Sequence, residues 1–161
     1  MSTIVVEVLR REDPTGFRRA HRLVRAYLSG LHGDLRPNRL TQRHAQVLLD
    51  LASTRRSVVA LASVGDRDVG VALLYPEPDV AELAVLYTAP AYRRAGVATA
   101  LLRELLGRDV FPVSATVEQQ DRAATALAAS LDIYPTCVQE PGRLRFELTA
   151  PHQRGIAATR S

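Results

Sequence analysis

The stretch AELAVLYTAPAYRRAGVATALLRELL, Ala81 to Leu106, decides how the rest of the chain is read. It opens as a strand through Thr88, turns at Pro90 and Arg93-Arg94-Ala95-Gly96, and continues as a helix. Val97, Leu101, Leu102, Leu105 and Leu106 recur there at helical spacing, so one face of that helix is apolar. The first amides of a helix have no partner inside it, and the aligned peptide dipoles add positive potential at the same end. Such a terminus holds phosphate well. Gly96 lets the backbone come close to a phosphate, and Ala98 keeps the next side chain small. The physics alone describes a pyrophosphate cradle, and equally a glycine-containing helix entry with no ligand.

Outward from this stretch the chain alternates in character. Ile4–Leu9 is β-rich and reads as a first strand. Asp13-Pro14 marks a helix start, since proline is tolerated in the first turn. Phe17, Ala20, His21, Val24, Leu28 and Leu31 follow at helical spacing, and Gly30 and Gly33 end the helix. Asp34–Arg39 is a loop, and Thr41 can cap a second helix carrying Ala45, Leu48, Leu49 and Ala52. Ser57–Val64, Val69–Tyr75 and Val80–Thr88 form an antiparallel meander, turning at Gly65-Asp66-Arg67-Asp68 and at Pro76-Glu77-Pro78-Asp79. Beyond Leu106, Val113–Glu118 is a strand, Asp121 caps an alanine-rich helix through Leu131, and Tyr134–Gln139 pairs with Leu144–Leu148 around Glu140-Pro141-Gly142-Arg143. The expected fold is α/β (α+β): a mixed, mostly antiparallel sheet flanked by helices, in the order β-α-α-β-β-β-α-β-α-β-β. Residues 1–149 form one domain, and 150–161, without apolar periodicity, a loose tail.

Arg93-x-x-Gly96-x-Ala98 resembles the Q/R-x-x-G-x-G/A signature of the GNAT acetyltransferase superfamily. It follows a strand ending in x-x-Pro and precedes a leucine-rich helix, as in that family, and the resemblance extends over roughly residues 3–149. A P-loop is disfavoured because no Gly-Lys-Ser/Thr is present, and a dinucleotide fold because the preceding strands are antiparallel. The resemblance implies acetyl-CoA or a close acyl-CoA as cosubstrate. Main-chain atoms of Leu86, Tyr87 and Thr88 would pair with its pantetheine arm, and amides of Arg94, Ala95, Gly96, Val97, Ala98 and Thr99 would hold the pyrophosphate, with Arg93 and Arg94 supplying charge. The sheet would splay beyond Val80–Thr88. Loops within Gly30–Thr41 would line the acceptor side.

Direct transfer to an amine requires that the ammonium lose a proton and the departing thiolate gain one. Glu82 lies 14 residues before Gly96, the spacing at which the histone-acetyltransferase branch carries its glutamate, and Ala81-Glu82-Leu83-Ala84 resembles that branch. It is the leading base, with the alternative that it starts an exposed strand. Glu118, at the end of its strand, is the second candidate. Many family members carry a Tyr acid in a pattern like N-x-x-A-x-x-L-Y. Here Asp121 stands for the Asn and Ala128 for the Tyr, which leaves Tyr134, six residues later, as a substitute acid or a structural side chain.

Cys137 is alone, which excludes an internal disulfide framework, and His21, His32, His44 and His152 lack metal-ligand spacing, so no metal is expected. No apolar run reaches the roughly 20 residues of a membrane span, and the N-terminus lacks a signal-peptide pattern, so a cytoplasmic protein is expected. All 21 basic residues are Arg, and Arg18, Arg19, Arg22 and Arg25 read as the wet face of the first helix. With only 8 Phe and Tyr, no Trp, and no aromatics among those arginines, nucleic-acid binding is disfavoured despite a pI near 9.8. The expectation is an N-acyltransferase acting on an unidentified amine. The alternatives are a non-catalytic acetyl-CoA-binding regulatory module, suggested by the missing Tyr, and a nucleic-acid binder. The strip Asp66, Asp68, Glu77, Asp79 and Glu82 hints at a cationic acceptor, and family habit suggests a homodimer.

Overall fold

Among the described residues, seven strands make one sheet, which in spatial order runs Ile4–Val8 (β1), Val58–Val64 (β2), Arg67–Pro76 (β3), Ala81–Thr88 (β4), Val113–Glu118 (β5), Arg143–Leu148 (β7) and Pro135–Glu140 (β6). The computed structural model describes residues 3–31, 43, 45–47, 49, 50, 57–76, 80–108 and 113–148. The helices bounded within the described residues are α1 Pro14–Leu31, α2 Val97–Leu106 and α3 Arg122–Ser130. Of the expected second helix, Thr41 to Ala52, residues 43, 45–47, 49 and 50 are helical and the others lie outside the described residues. The acceptor loop beyond Leu31, the turn at 77–79 and the tail 150–161 also lie outside them.

Alternation sorts the side chains of the sheet onto two cores. Val59, Leu61, Val71, Leu73 and Val85 face Ala20, Val24 and Leu28 of α1, together with Ala45 and Leu49. Ala60, Ala62, Ala72, Leu74, Ala81, Val113 and Phe146 face Val97, Leu101, Leu102 and Leu105 of α2, with Leu127 and Ala128 of α3 packed at the margin. Each fully buried Leu, Val or Phe contributes about 1.5–3 kcal/mol over its exposed state. Gly70 of β3 is where α2 comes closest. A Cβ there would stand 2.6 Å from Val97 Cγ1 and 3.1 Å from the Tyr87 carbonyl oxygen, so only glycine lets the helix seat at this depth.

The helix starts are made as their sequences imply. Gly16 N donates to Asp13 Oδ1 at 2.8 Å, with Pro14 opening α1, and Ala124 N donates to Asp121 Oδ1 at 3.0 Å to cap α3. Three expectations are corrected. Gly30 falls inside α1, which runs on to Leu31. The first hairpin turns on Gly65-Asp66 alone, because Gly65 adopts φ 61° and Val64 already pairs with Arg67. The first helix's arginines are not all solvated: Arg19 forks onto Asp68 with Nε–Oδ1 at 3.0 Å and reaches Glu7 at 2.6 Å, while Arg22 contacts Asp68 at 3.3 Å. Asp68 is thereby taken up in tying α1 to the β2–β3 hairpin.

Candidate active site

β4 and β5 run parallel, yet they pair only at Ala81↔Val113 and Glu82↔Ser114. Both strands continue, to Thr88 and to Glu118, and their facing edges separate as they go. The cause lies partly in β4 itself, where pairing with β3 slips between Leu73↔Val85 and Leu74↔Leu83, leaving Ala84 as a bulge. A bulge bends its strand and sharpens its twist. Within this splay, Leu86, Tyr87 and Thr88 pair with Ala72, Val71 and Gly70 on one edge only. The outward backbone groups of that segment have no strand partner among the described residues. Thr88 Oγ1 is buried without a hydrogen-bond partner.

At the far end of β4 the chain passes through a single 3-10 turn, Pro90–Tyr92, into the Arg/Gly turn. Arg94 (φ 63°) and Gly96 (φ 87°) are both left-handed, which folds the backbone back on itself ahead of α2. Ala95 N reaches Tyr92 O at 3.4 Å and Ala100 N bonds Gly96 O at 2.9 Å. The amides of Gly96, Val97, Ala98 and Thr99, between those two bonds, find no backbone acceptor among the described residues. Arg93, Arg94, Ala95 and Gly96 are exposed, and a Cβ built on Gly96 meets nothing within 4 Å. Open amides, exposed guanidinium groups and clear space coincide here, an arrangement suited to a phosphate group.

Glu82 stands where the two strands part, half-buried and on the face that α1 covers farther along the sheet. Its Oε2 accepts from Ser114 Oγ at 2.6 Å, and Ser114 Oγ accepts from Arg145 Nη2 at 3.0 Å. A guanidinium can only donate, so the single hydroxyl proton of Ser114 is left for Glu82. Ser114 is fully buried, which fixes this chain of bonds. Glu82 Oε1 has no hydrogen-bond partner among the described residues. Sequence reasoning missed both Ser114 and Arg145, since a strand serine and a strand arginine carry no motif.

The other acid–base candidates are not brought to Glu82. Glu118 lies on the same face of β5 but four residues, about 13 Å, along the strand from Ser114. It is exposed and paired with Arg143 Nε at 3.0 Å. Tyr134 precedes β6 rather than opening it and is 66% exposed. Ala128 is half-buried against the α2-side core. Of the acidic strip, Asp66 and Asp68 do not join Glu82: they lie at the opposite end of β3 from Tyr75, the partner of Glu82, and Asp68 is held by Arg19, while Glu77 and Asp79 lie outside the described residues.

Aromatic side chains complete the α1 side of the opening. Tyr27 meets Tyr87 edge-on, with ring centroids 6.4 Å apart and planes at 65°. Burial raises the Tyr27 phenol above its ordinary value, and the negative charge of Asp121 adds to the shift. Burial likewise pushes Tyr75, beside Glu82, up to about 12. Both phenols are neutral at physiological pH. Among the described residues, no three His, Cys, Asp or Glu side chains group as metal ligands, and no helix is long and apolar enough to cross a membrane.

Solved structures share this architecture. The ribosomal-protein-S18-alanine N-acetyltransferase of Escherichia coli superimposes with a TM-score of 0.64 at 18% identity, covering 92% of this chain and 96% of that one. The paia N-acetyltransferase of Thermoplasma acidophilum, determined in complex with coenzyme A, gives 0.68 at 14% identity over 91% and 99%. An acetyltransferase of Thermus thermophilus gives 0.63 at 21% identity over 91% and 98%. No curated protein matches by sequence. The model of the Acetyltransferase (GNAT) family matches residues 18–132, from within α1 to beyond the end of α3, and the chain belongs to that family.

Proposed function

We propose that the protein is an acyl-CoA-dependent N-acyltransferase that passes an acetyl group from acetyl-CoA directly to an amine bound in the same complex. The observation that carries this reading is the coincidence of the splayed β4 edge, the left-handed Arg94/Gly96 turn with its open amides, and a carboxylate at the point of splay. Within the segment Arg94 to Thr99, the open amides of Gly96, Val97, Ala98 and Thr99 hold the pyrophosphate, with Arg93 and Arg94 supplying charge. The outward main chain of Leu86, Tyr87 and Thr88 takes the amide-rich arm as an added strand would. Acetyl-CoA held there supplies an activated acyl carbon and a thiol leaving group. Within that strand, a free N–H polarises the acyl oxygen.

Glu82 is the base. Its Oε2 is held by Ser114, which leaves Oε1 as the acceptor for the proton of the incoming ammonium. With Ala128 in the place of the family tyrosine and Tyr134 at the surface, no side-chain acid is assigned, and protonation of the departing thiolate falls to solvent. Thiol release from acetyl-CoA, followed with and without a pool of amines, tests the reading. Release that depends on added amine supports it. Binding of acetyl-CoA without release under any amine would instead favour a regulatory module, for which the missing tyrosine is the specific argument.

A further inference from the structure

Arg145 stands out among the charged side chains of the opening. It is half-buried on β7, on the same face as Glu82 and Ser114, opposite Thr116. Among the described residues its side chain makes one hydrogen bond, to the neutral Ser114 Oγ, and no ion pair. Arg143, on the same sheet face, has Glu118, and on α1 Arg19 has Asp68 and Glu7 and Arg22 has Asp68, whereas Arg18 bonds Thr15 and Arg25 keeps a buried Nε without a hydrogen-bond partner among the described residues. Glu147, the next residue on that face of β7, is exposed and makes no ion pair with Arg145. A half-buried guanidinium with most of its five donors free of protein partners is placed to fork onto an anion.

The position of Arg145 restricts which anion that is. The pyrophosphate cradle begins beyond Thr88, six residues along β4 from Glu82 and about 20 Å away, so the donor's phosphates are provided for elsewhere. Arg145 is separated from the Glu82 carboxylate by a single hydroxyl, that of Ser114. An acceptor whose nitrogen meets Glu82 therefore presents its neighbouring atoms to Arg145. Resting on the acyltransferase reading, we infer that the acceptor carries a carboxylate close to its amine, as a free amino acid does. The ammonium meets Glu82 and the carboxylate forks onto Arg145, two opposite charges met by two opposite charges. A guanidinium matches a carboxylate in this paired geometry better than any other side chain. Simple amines present no such anion and leave Arg145 unpaired when they bind.

Matched pairs test this: phenylalanine with phenethylamine, histidine with histamine, arginine with agmatine, tyrosine with tyramine. Each is assayed for thiol release from acetyl-CoA, and the N-acetylated product of each is titrated calorimetrically into the CoA-loaded protein. For the preferred side chain, the carboxylate-bearing member is expected to win by about 10- to 100-fold in kcat/KM and in product affinity, the range for a hydrogen bond to a charged group. In Arg145→Gln, the ratio within that pair collapses toward one, whatever happens to the overall rate, while acetyl-CoA affinity reports that the fold is intact. A decarboxylated amine that matches or beats its amino acid in every pair overturns the inference, as does a ratio that survives Arg145→Gln. So does a failure of every carboxylate-bearing compound in both assays. Loss of acetyl-CoA binding by the unaltered protein would instead remove the acyltransferase reading beneath it.

Discussion

Glu82 has one oxygen committed to Ser114 and the other free of protein partners among the described residues, and this asymmetry is what a positioned base requires. Glu82→Gln is expected to lower kcat by about 100-fold while leaving the Kd for acetyl-CoA within about twofold, since general-base contributions commonly reach that size. An unchanged kcat across pH would dismiss Glu82 from the chemistry. Ser114→Ala frees the carboxylate to rotate and removes the hydrogen bond of the Arg145 side chain. It is expected to reduce kcat by about 10-fold with little change in the KM for acetyl-CoA, and the split between these constants separates positioning from simple loss of fold. Glu82 was legible in the sequence because its distance from Gly96 and its neighbours resemble a family pattern. Ser114 and Arg145 were not legible. They reach Glu82 only because β5 pairs parallel with β4 and antiparallel with β7, contacts that span 32 and 31 residues of chain.

At the level of elements, the relation of α2 to the sheet governs where its N-terminal amides point. Gly70→Val would drive a side chain into Val97 and the Tyr87 backbone, which cannot move far without breaking the β3–β4 ladder. The expected cost is about 1–3 kcal/mol of stability, measured by denaturant unfolding. A larger fall in acetyl-CoA affinity than in stability is also expected, since the cradle is displaced with the helix. Unchanged affinity would separate the cradle from the seating of α2. The elements themselves were largely visible beforehand. Alternating apolar residues bounded by glycine and proline turns marked the meander, and the Asp13 and Asp121 caps marked two helix starts. Their ends were less visible: Gly65 at φ 61° closes a two-residue loop that a run of four polar residues does not announce. The tie of Arg19 to Asp68 was hidden as well, because solvated and paired arginines look alike along a helix.

Across the whole molecule, the tyrosines make stability fall at alkaline pH. The folded protein raises Tyr75 to about 12 and Tyr27 in the same direction, both chiefly by burial. A phenol whose pKa is higher when folded holds its proton longer in the native state than in the unfolded one. Its contribution is therefore complete below pH 10 and is lost as the pH climbs from about 10 toward 12. Chemical unfolding between pH 9 and 12 is expected to show that decline, and Tyr75→Phe is expected to flatten part of it. A decline of the same size in the variant would assign it to other groups.

The splayed β4–β5 pair and the Arg94–Thr99 turn form one acyl-CoA site in this account, and calorimetric titration with acetyl-CoA examines that claim directly. The unaltered protein is expected to bind at one molecule per chain, and Gly96→Glu, which puts a side chain at φ 87° and a negative charge among the open amides, is expected to lose binding while remaining folded. Absence of binding by the unaltered protein, or equal affinity in Gly96→Glu, would contradict the account.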